Sequence, residues 1–125
     1  MTQKTVKKSD IIIDARGMAL GRLASQVAVL IRGKGTTDWE SRLAPSQKVI
    51  VKNAGQIRLS GRKWDQGGNE RYSGFHGGLR IPTYRDIFTK DPTRLIREAV
   101  TGMIPRNRLR KDILKNLIIY VSDEK

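Results

Sequence analysis

The 125-residue sequence has no cysteine and a single histidine, His76. Disulfide bonds and thiolate metal sites are therefore excluded, as is a metal centre built on several histidines. His76 lies among glycines with no carboxylate nearby in the sequence, which argues against a Ser-His-Asp triad. The carboxylates between Asp10 and Glu40 show no spacing typical of metal-binding loops. We predict no catalytic residue, no cofactor and no metal.

Long apolar runs are also missing. The longest stretch without a charge, Leu23–Ile31, has nine residues, about half of the roughly 20 that a membrane-spanning helix needs. Residues 1–9 carry three lysines but no apolar segment, so we expect a flexible start and no signal peptide. The sequence predicts one domain over residues 1–125, with no membrane partner, in the cytoplasm or an organelle matrix.

Acidic residues are in short supply. Twelve Asp and Glu stand against 25 Lys and Arg, which gives a formal charge of +13. Solubility alone needs a net charge of only about 2–8 in a small domain. A folded chain with this excess repels itself unless a polyanion neutralises it, and the commonest polyanion is nucleic acid. We therefore predict a nucleic-acid partner and no small-molecule substrate.

Four segments are predicted as strands. Ile11–Ile13 and Val49–Val51 are continuous β-branched runs, typical of strands buried on both faces of a parallel sheet. Apolar and polar residues alternate from Ile57 to Ser60, and Leu117–Val121 is the last apolar run. The sequence thus predicts a small, mainly parallel four-stranded sheet.

Helical periodicity predicts four helices. The first extends from Met18 to Ile31, and a short helix follows the capping residue Thr83. Asp91-Pro92, an acceptor followed by proline, begins a third helix, and the basic segment Arg106–Lys115 forms a fourth. Together with the strands, these helices give an α/β fold.

The stretch from Arg62 to Leu79 has five glycines and few aliphatic residues, which predicts an eighteen-residue glycine-rich basic loop. Loops of this length are usually functional. Its cations alternate with aromatic residues, Phe75 among them, and such rings and guanidinium planes stack on unpaired RNA bases. The RNA-binding residues predicted in this loop and directly beside it are Arg58, Arg62, Lys63, Trp64, Arg71, Tyr72, His76 and Arg80. Trp39, Trp64 and Tyr84 fit core packing equally well.

A second cationic patch lies near the end of the chain, with five cations in ten residues beside Asp112. The planar guanidinium of arginine binds phosphate through two parallel hydrogen bonds, which lysine cannot do. The RNA-binding residues predicted here are Arg106, Arg108, Arg110 and Lys111. For either patch, the alternative is a charged face that only contacts solvent.

The turn from Asp14 to Arg22 joins a strand to a helix and contains Gly17 and Gly21. Such a turn resembles a phosphate-binding loop, but it has neither the Lys-Ser/Thr of a Walker loop nor the three glycines of a dinucleotide site. A nucleotide-using enzyme built on this turn is one alternative. We expect instead an RNA phosphate at the helix N-terminus, with Arg16 and Arg22 adding charge.

Several segments, in order and spacing, resemble the large-ribosomal-subunit protein family numbered thirteen. The segment from Ile13 to Ala24, followed by Arg32-Gly33-Lys34, resembles its opening signature. Val49–Ala54, Tyr72–Leu79 and Ala99–Pro105 resemble later segments, so the resemblance covers roughly residues 12–121.

This resemblance implies a three-layer α/β/α sandwich without a catalytic site or required cofactor. It also implies a structural role in the large ribosomal subunit, with binding to its main rRNA. We accordingly expect rRNA stabilisation during early assembly, and contacts with neighbouring large-subunit proteins. The expected location is a cytoplasmic ribosome, although an organelle ribosome fits the same sequence. Within the resembling segments, Arg32 and Lys34 join the predicted RNA-binding residues.

The chain departs from the family pattern at three places. Leu109-Arg110-Lys111 stands where the family usually has Leu-Gly-Arg, and Gln47-Lys48 replaces a Gly-Asp pair. The tail after Val121 has no histidine-containing extension. These departures indicate a divergent member. A general nucleic-acid binder that uses charge alone is the second alternative, and it predicts similar affinities for duplex DNA and rRNA.

Overall fold

The structure, a computed structural model, describes residues 10–123. The segment 1–9, predicted to be flexible, lies outside the described residues. In chain order the elements are β1 (Ile11–Asp14), α1 (Leu20–Ile31), β2 (Val49–Lys52), β3 (Arg71–Tyr72), β4 (Leu79–Arg80), α2 (Tyr84–Lys90), α3 (Pro92–Met103), α4 (Arg110–Lys115) and β5 (Leu117–Ile119). Short 3₁₀ helices lie at Ala54–Gln56 and Lys63–Asp65.

The main sheet has three parallel strands in the order β1-β2-β5, with Ile11 beside Val49 and Val49 beside Leu117. This confirms a mixed α/β fold with a mainly parallel sheet, but the predicted fourth strand at residues 57–60 is wrong. Arg58 bonds through its main chain to Met18 and Leu20 in the turn before α1, so this segment never reaches a sheet edge.

The two faces of the sheet differ in burial. Val49, Val51 and Leu117 are buried on one face, within the hydrophobic core. On the other face Ile12 of β1 is 61% exposed, so the prediction that β1 is buried on both faces is wrong. A three-layer sandwich needs helices that cover both faces of the sheet. Because this face is partly exposed among residues 10–123, the second layer of helices is not confirmed.

Helix α1 packs against α3 and β2, and α2 packs against α3. Both predicted caps are confirmed. Thr83 forms a reciprocal capping box with Asp86 at the start of α2, and Asp91 accepts from Thr93 N at 3.0 Å at the start of α3. The predicted fourth helix is shorter than expected, because it begins at Arg110 instead of Arg106. No helix within residues 10–123 has the length and apolar character needed to cross a membrane.

The structure does not confirm the glycine-rich segment as a continuous loop. It contains the second 3₁₀ helix and the antiparallel hairpin β3–β4, which a bridge between Gly67 and Thr83 extends. Glycine is needed at position 67 because a Cβ there would overlap Cγ2 of Ile81. The backbone of the segment is thus held against the start of α2.

Candidate nucleic-acid interface

The first cationic surface, the α1 N-terminal surface, comprises Arg16, Arg22 and Arg58. The main-chain bonds of Arg58 to residues 18 and 20 hold it beside the start of α1. Arg16 is held by a hydrogen bond of 2.7 Å from its Nε to Oε1 of Gln56. Helix α1 has no side-chain cap and no acidic residue in its first turn. The carbonyl oxygen of Arg58 accepts from Leu20 N, so the N–H groups of Gly21 and Arg22 are the ones at the positive end that an anion can reach.

The second surface, the hairpin surface, comprises Arg71, Tyr72, Phe75, His76 and Arg80 of the β3–β4 hairpin, together with Leu79, which sequence reasoning did not single out. Arg71 faces Arg80 in the register, and Tyr72 faces Leu79. Because successive residues of a strand point to opposite faces, the arginine pair lies on one face and Tyr72 on the other. Tyr72 is 70% exposed and Phe75, at the tip, is 78% exposed. Aromatic rings and guanidinium groups are thus both available to a partner.

The third surface, the α3–α4 groove, is a cavity of about 520 Å³ whose lining includes Arg94, Arg97, Arg106 and Arg110. Arg94 Nε pairs with Oε1 of Glu98 at 2.8 Å. Arg110 Nη2 donates over 2.7 Å to the carbonyl oxygen of Thr101 in the last turn of α3. Arg110 therefore stabilises the end of α3, a structural role that sequence reasoning missed.

The hairpin and the α3–α4 groove are connected through Arg94, which lines the groove and also a second cavity beside Arg71 and Arg80. The two patches that the sequence separates are thus joined by α3. Sequence reasoning missed Arg94 and Arg97. Because Leu95 and Ile96 face the core, the helical period alone already places these two arginines on the solvent side of α3.

Arg32 and Lys34 lie at the opposite end of α1 from Arg22, about 18 Å along a twelve-residue helix. They line a small cavity of about 210 Å³ with Met103, close to the end of α3. The structure thus brings them toward the α3–α4 groove and away from the α1 N-terminal surface. Lys34 Nζ lies 5.8 Å from the ring centroid of Trp39.

The remaining predicted residues differ in accessibility. Arg62, Lys63, Arg108 and Lys111 are exposed. Trp64 is half-buried and packs edge-on against Phe88, with ring centroids 5.1 Å apart. Its indole is therefore occupied in the fold, in line with the alternative of core packing.

The ion pairs among residues 10–123 leave the predicted RNA-binding cations free. The pairs are Arg42–Glu40, Lys52–Asp123, Arg85–Asp65, Arg94–Glu98 and Lys115–Asp112. None of the predicted arginines and lysines takes part in them. Within the described part of the chain, Arg94 of the α3–α4 groove has an acidic partner, while the predicted cations of the three surfaces have no ion pair.

Two carboxylates beside these surfaces have lowered pKa values. The pKa of Asp14 is lowered chiefly by the hydrogen bond from the side chain of Asn53, and further by the one from the Arg16 main chain. The pKa of Asp91 is lowered chiefly by the hydrogen bond from the Thr93 hydroxyl. Both groups serve local structure, because Asp14 fixes the turn before α1 and Asp91 caps α3.

Comparison with known proteins gives a consistent result. The model of the family described as "Ribosomal protein L13" matches residues 8–125. A relative from Thermus thermophilus is 38% identical over 121 residues, which cover 97% of this chain and 86% of the relative. Relatives from Kineococcus radiotolerans and Thermosipho africanus are 39% and 38% identical, covering 91% and 99% of this chain and 78% and 83% of their own lengths. Each of the three is named "Large ribosomal subunit protein uL13".

Proposed function

We propose, from the premise that the chain belongs to the ribosomal protein L13 family, that this protein binds and stabilises the rRNA of the large ribosomal subunit. The family consists of structural ribosomal proteins, and the chain is accordingly a structural protein of the ribosome and not an enzyme. We further propose that it acts early in subunit assembly and contacts neighbouring large-subunit proteins. Its location would be the ribosome in the cytoplasm.

The observation that carries this proposal is that the predicted cations of the three surfaces have no ion pair among residues 10–123. Arg110 supports α3 and Arg16 bonds to Gln56, but exposed cations such as Arg22, Arg106 and Arg108 have no ion pair in the described part of the chain that would account for them. Phosphate contacts release counterions and supply most of the salt-dependent affinity for nucleic acid. The three surfaces therefore fit a polyanion that bends around the protein from the start of α1 to α4.

Each surface has a distinct task in this proposal. The start of α1 offers main-chain N–H groups and Arg22 to a backbone phosphate. The hairpin surface offers exposed rings at Tyr72 and Phe75 to unpaired bases. The α3–α4 groove offers Arg97 and Arg106 to further phosphates. Bound together, these contacts recognise a folded RNA shape, which a uniform duplex does not provide.

Co-sedimentation tests the proposal. A tagged form of the full chain, expressed in cells, is followed through a sucrose gradient at low magnesium, where ribosomal subunits separate. We expect the protein in the large-subunit peak and in its assembly precursors. Recovery only at the top of the gradient, or equally with both subunits, would contradict the proposal.

A further inference from the structure

The cavity beside the hairpin has room for more than a phosphate group. It measures about 620 Å³ and lies between β3–β4, α2 and the start of α3. Ligand cavities for small organic molecules usually span about 300–1,000 Å³. Ile81, Pro82 and Ile87 give this cavity an apolar wall, and Ile87 itself is 6% exposed. Such a wall suits the flat apolar face of a nucleobase.

Two arginines of the hairpin line this cavity. Arg71 and Arg80 are direct partners in the antiparallel register and both line the cavity. Like charges directly opposite each other destabilise a strand pair, and a ribbon with two residues in each strand has little stability to spare. Neither arginine has an ion pair within residues 10–123. A bound phosphate would relieve this repulsion.

The carboxylates that line the cavity do not serve these arginines. Asp86 Oδ2 accepts from Thr83 N at 3.3 Å, within the capping box of α2. Asp91 Oδ1 accepts from both the main chain and the hydroxyl of Thr93. Lys90 and Arg94 add two further cations to the lining. Four cations thus line the cavity with the apolar wall, and Arg94 among them is paired with Glu98. The two acids keep their charge but point their oxygens at the helix starts that they cap, so cations still exceed acids in the lining.

We propose that this cavity takes one unpaired nucleotide extruded from the rRNA. Its phosphate bridges Arg71 and Arg80, and its base lies against Ile81, Pro82 and Ile87. The inference rests on the proposed function and deepens it, since it distinguishes a nucleotide-sized site from a surface that contacts backbone alone. Taking up a base that is already unpaired costs little unstacking energy. The exposed rings of Tyr72, on the other face of the hairpin, and Phe75, at its tip, are left to neighbouring bases.

Chemical probing of a large-subunit rRNA transcript bound to the full chain tests this site. Base-modifying reagents report the base edges, and hydroxyl radicals report the sugar–phosphate backbone. We expect a footprint on the backbone, and within it one unpaired base whose reactivity falls roughly tenfold on binding. Lys90→Trp should close the cavity mouth and restore that reactivity, while leaving the rest of the footprint. Lys90→Gln removes the same charge without adding bulk, and should keep the base protected.

A second pair of variants tests the phosphate bridge. Arg71→Gln with Arg80→Gln should remove the protection of the base, and it should not lower the melting temperature, because it also removes the repulsion across the hairpin. Arg62→Gln with Lys63→Gln removes two exposed charges outside the cavity. This control should raise the protein concentration needed for the footprint, and at saturating protein it should keep the base protected.

The outcomes separate this inference from the proposed function. If the wild-type chain gives no footprint at all on the transcript, rRNA binding itself is contradicted. If the footprint is normal and the protected base is unaffected by Lys90→Trp and by the Arg71 and Arg80 changes, the nucleotide site is contradicted. Protection of the backbone alone, with no base protected near the hairpin, would overturn it as well.

Discussion

Asn53 donates a hydrogen bond from Nδ2 to Oδ1 of Asp14 over 2.8 Å, and so links the carboxyl ends of β1 and β2. The same Oδ1 accepts from the main-chain N–H of Arg16 at 3.0 Å. Asn53 is buried, and its φ of 59° places it in the left-handed region. This contact fixes the turn that carries Arg16 into the α1 N-terminal surface.

Asn53→Ala should therefore destabilise the fold. It removes a hydrogen bond to a charged group and puts alanine, which tolerates the left-handed region less well than asparagine does, at this position, for a combined loss of about 2–4 kcal/mol. Urea denaturation measures this loss. Asn53→Gly removes the same hydrogen bond without backbone strain, and should lose about 1 kcal/mol less. Equal losses for both variants would show that backbone conformation contributes nothing.

The Asp14 carboxylate should make stability depend on pH in the acid range. Its pKa is lowered in the folded state, so its contribution is fully present above the unfolded value of about 3.9 and is lost as pH falls through the lower folded pKa. Asp14→Asn should melt at a lower temperature than the wild type at pH 7, and the difference should shrink toward zero below the folded pKa. Melting curves followed by circular dichroism measure it. A difference that grows on acidification would contradict the assigned direction.

Replacing Gly21, in the first turn of α1, should change the stability of the protein and its affinity for RNA in opposite directions. A Cβ there would meet no atom within 4 Å, so Gly21→Ala should stabilise the free protein by about 0.5–1 kcal/mol. If an RNA backbone approaches this turn closely, the same methyl group should raise the Kd for the rRNA transcript roughly fivefold, equivalent to about 1 kcal/mol. Gln26→Ala, further along the exposed side of α1, should leave binding unchanged. Tighter binding by Gly21→Ala would contradict a close approach.

The second cationic patch can be tested without disturbing α3. Arg106, Arg108 and Lys111 are exposed and have no ion pair among residues 10–123, whereas Arg110 supports α3 through Thr101. Changing these three to Gln should make the salt dependence of rRNA binding shallower by about 2–3 in the log–log slope. Filter binding at several salt concentrations measures this slope.

The matched control changes three cations that already have acidic partners. Arg42, Arg85 and Lys115 pair with Glu40, Asp65 and Asp112. Their replacement by Gln alters net charge by the same amount, and we expect a clearly smaller change of slope. Equal effects of the two triple variants would mean that net charge alone determines binding.

Much of the fold could be predicted because it depends on local chemistry. The β-branched runs gave β1 and β2, and the caps at Thr83 and Asp91 marked the starts of α2 and α3. The strand expected at residues 57–60 failed because alternation alone does not show which groups are free to pair. Arg58 there bonds to the turn before α1. The glycines of the basic segment likewise permit a hairpin, which only tertiary contacts with the start of α2 select.

The cations of the candidate interface could be found from charge density, but their grouping could not. Arg58 joins Arg16 and Arg22 through main-chain bonds between segments far apart in the sequence. Arg94 connects the hairpin to the α3–α4 groove because α3 passes between them. The role of Arg110 depends on a carbonyl group nine residues away across a turn. Each of these contacts joins residues that are separated in the sequence, so it can be seen only in the folded chain.

The salt dependence of the affinity of the wild-type chain for a large-subunit rRNA transcript tests the central claim most directly. If the three surfaces neutralise about 6–10 phosphates, a plot of log affinity against log salt should have a slope of roughly −4 to −9. The transcript should also bind more tightly than duplex DNA of equal length at every salt concentration. A slope near zero, or equal affinity for both nucleic acids, would contradict the account.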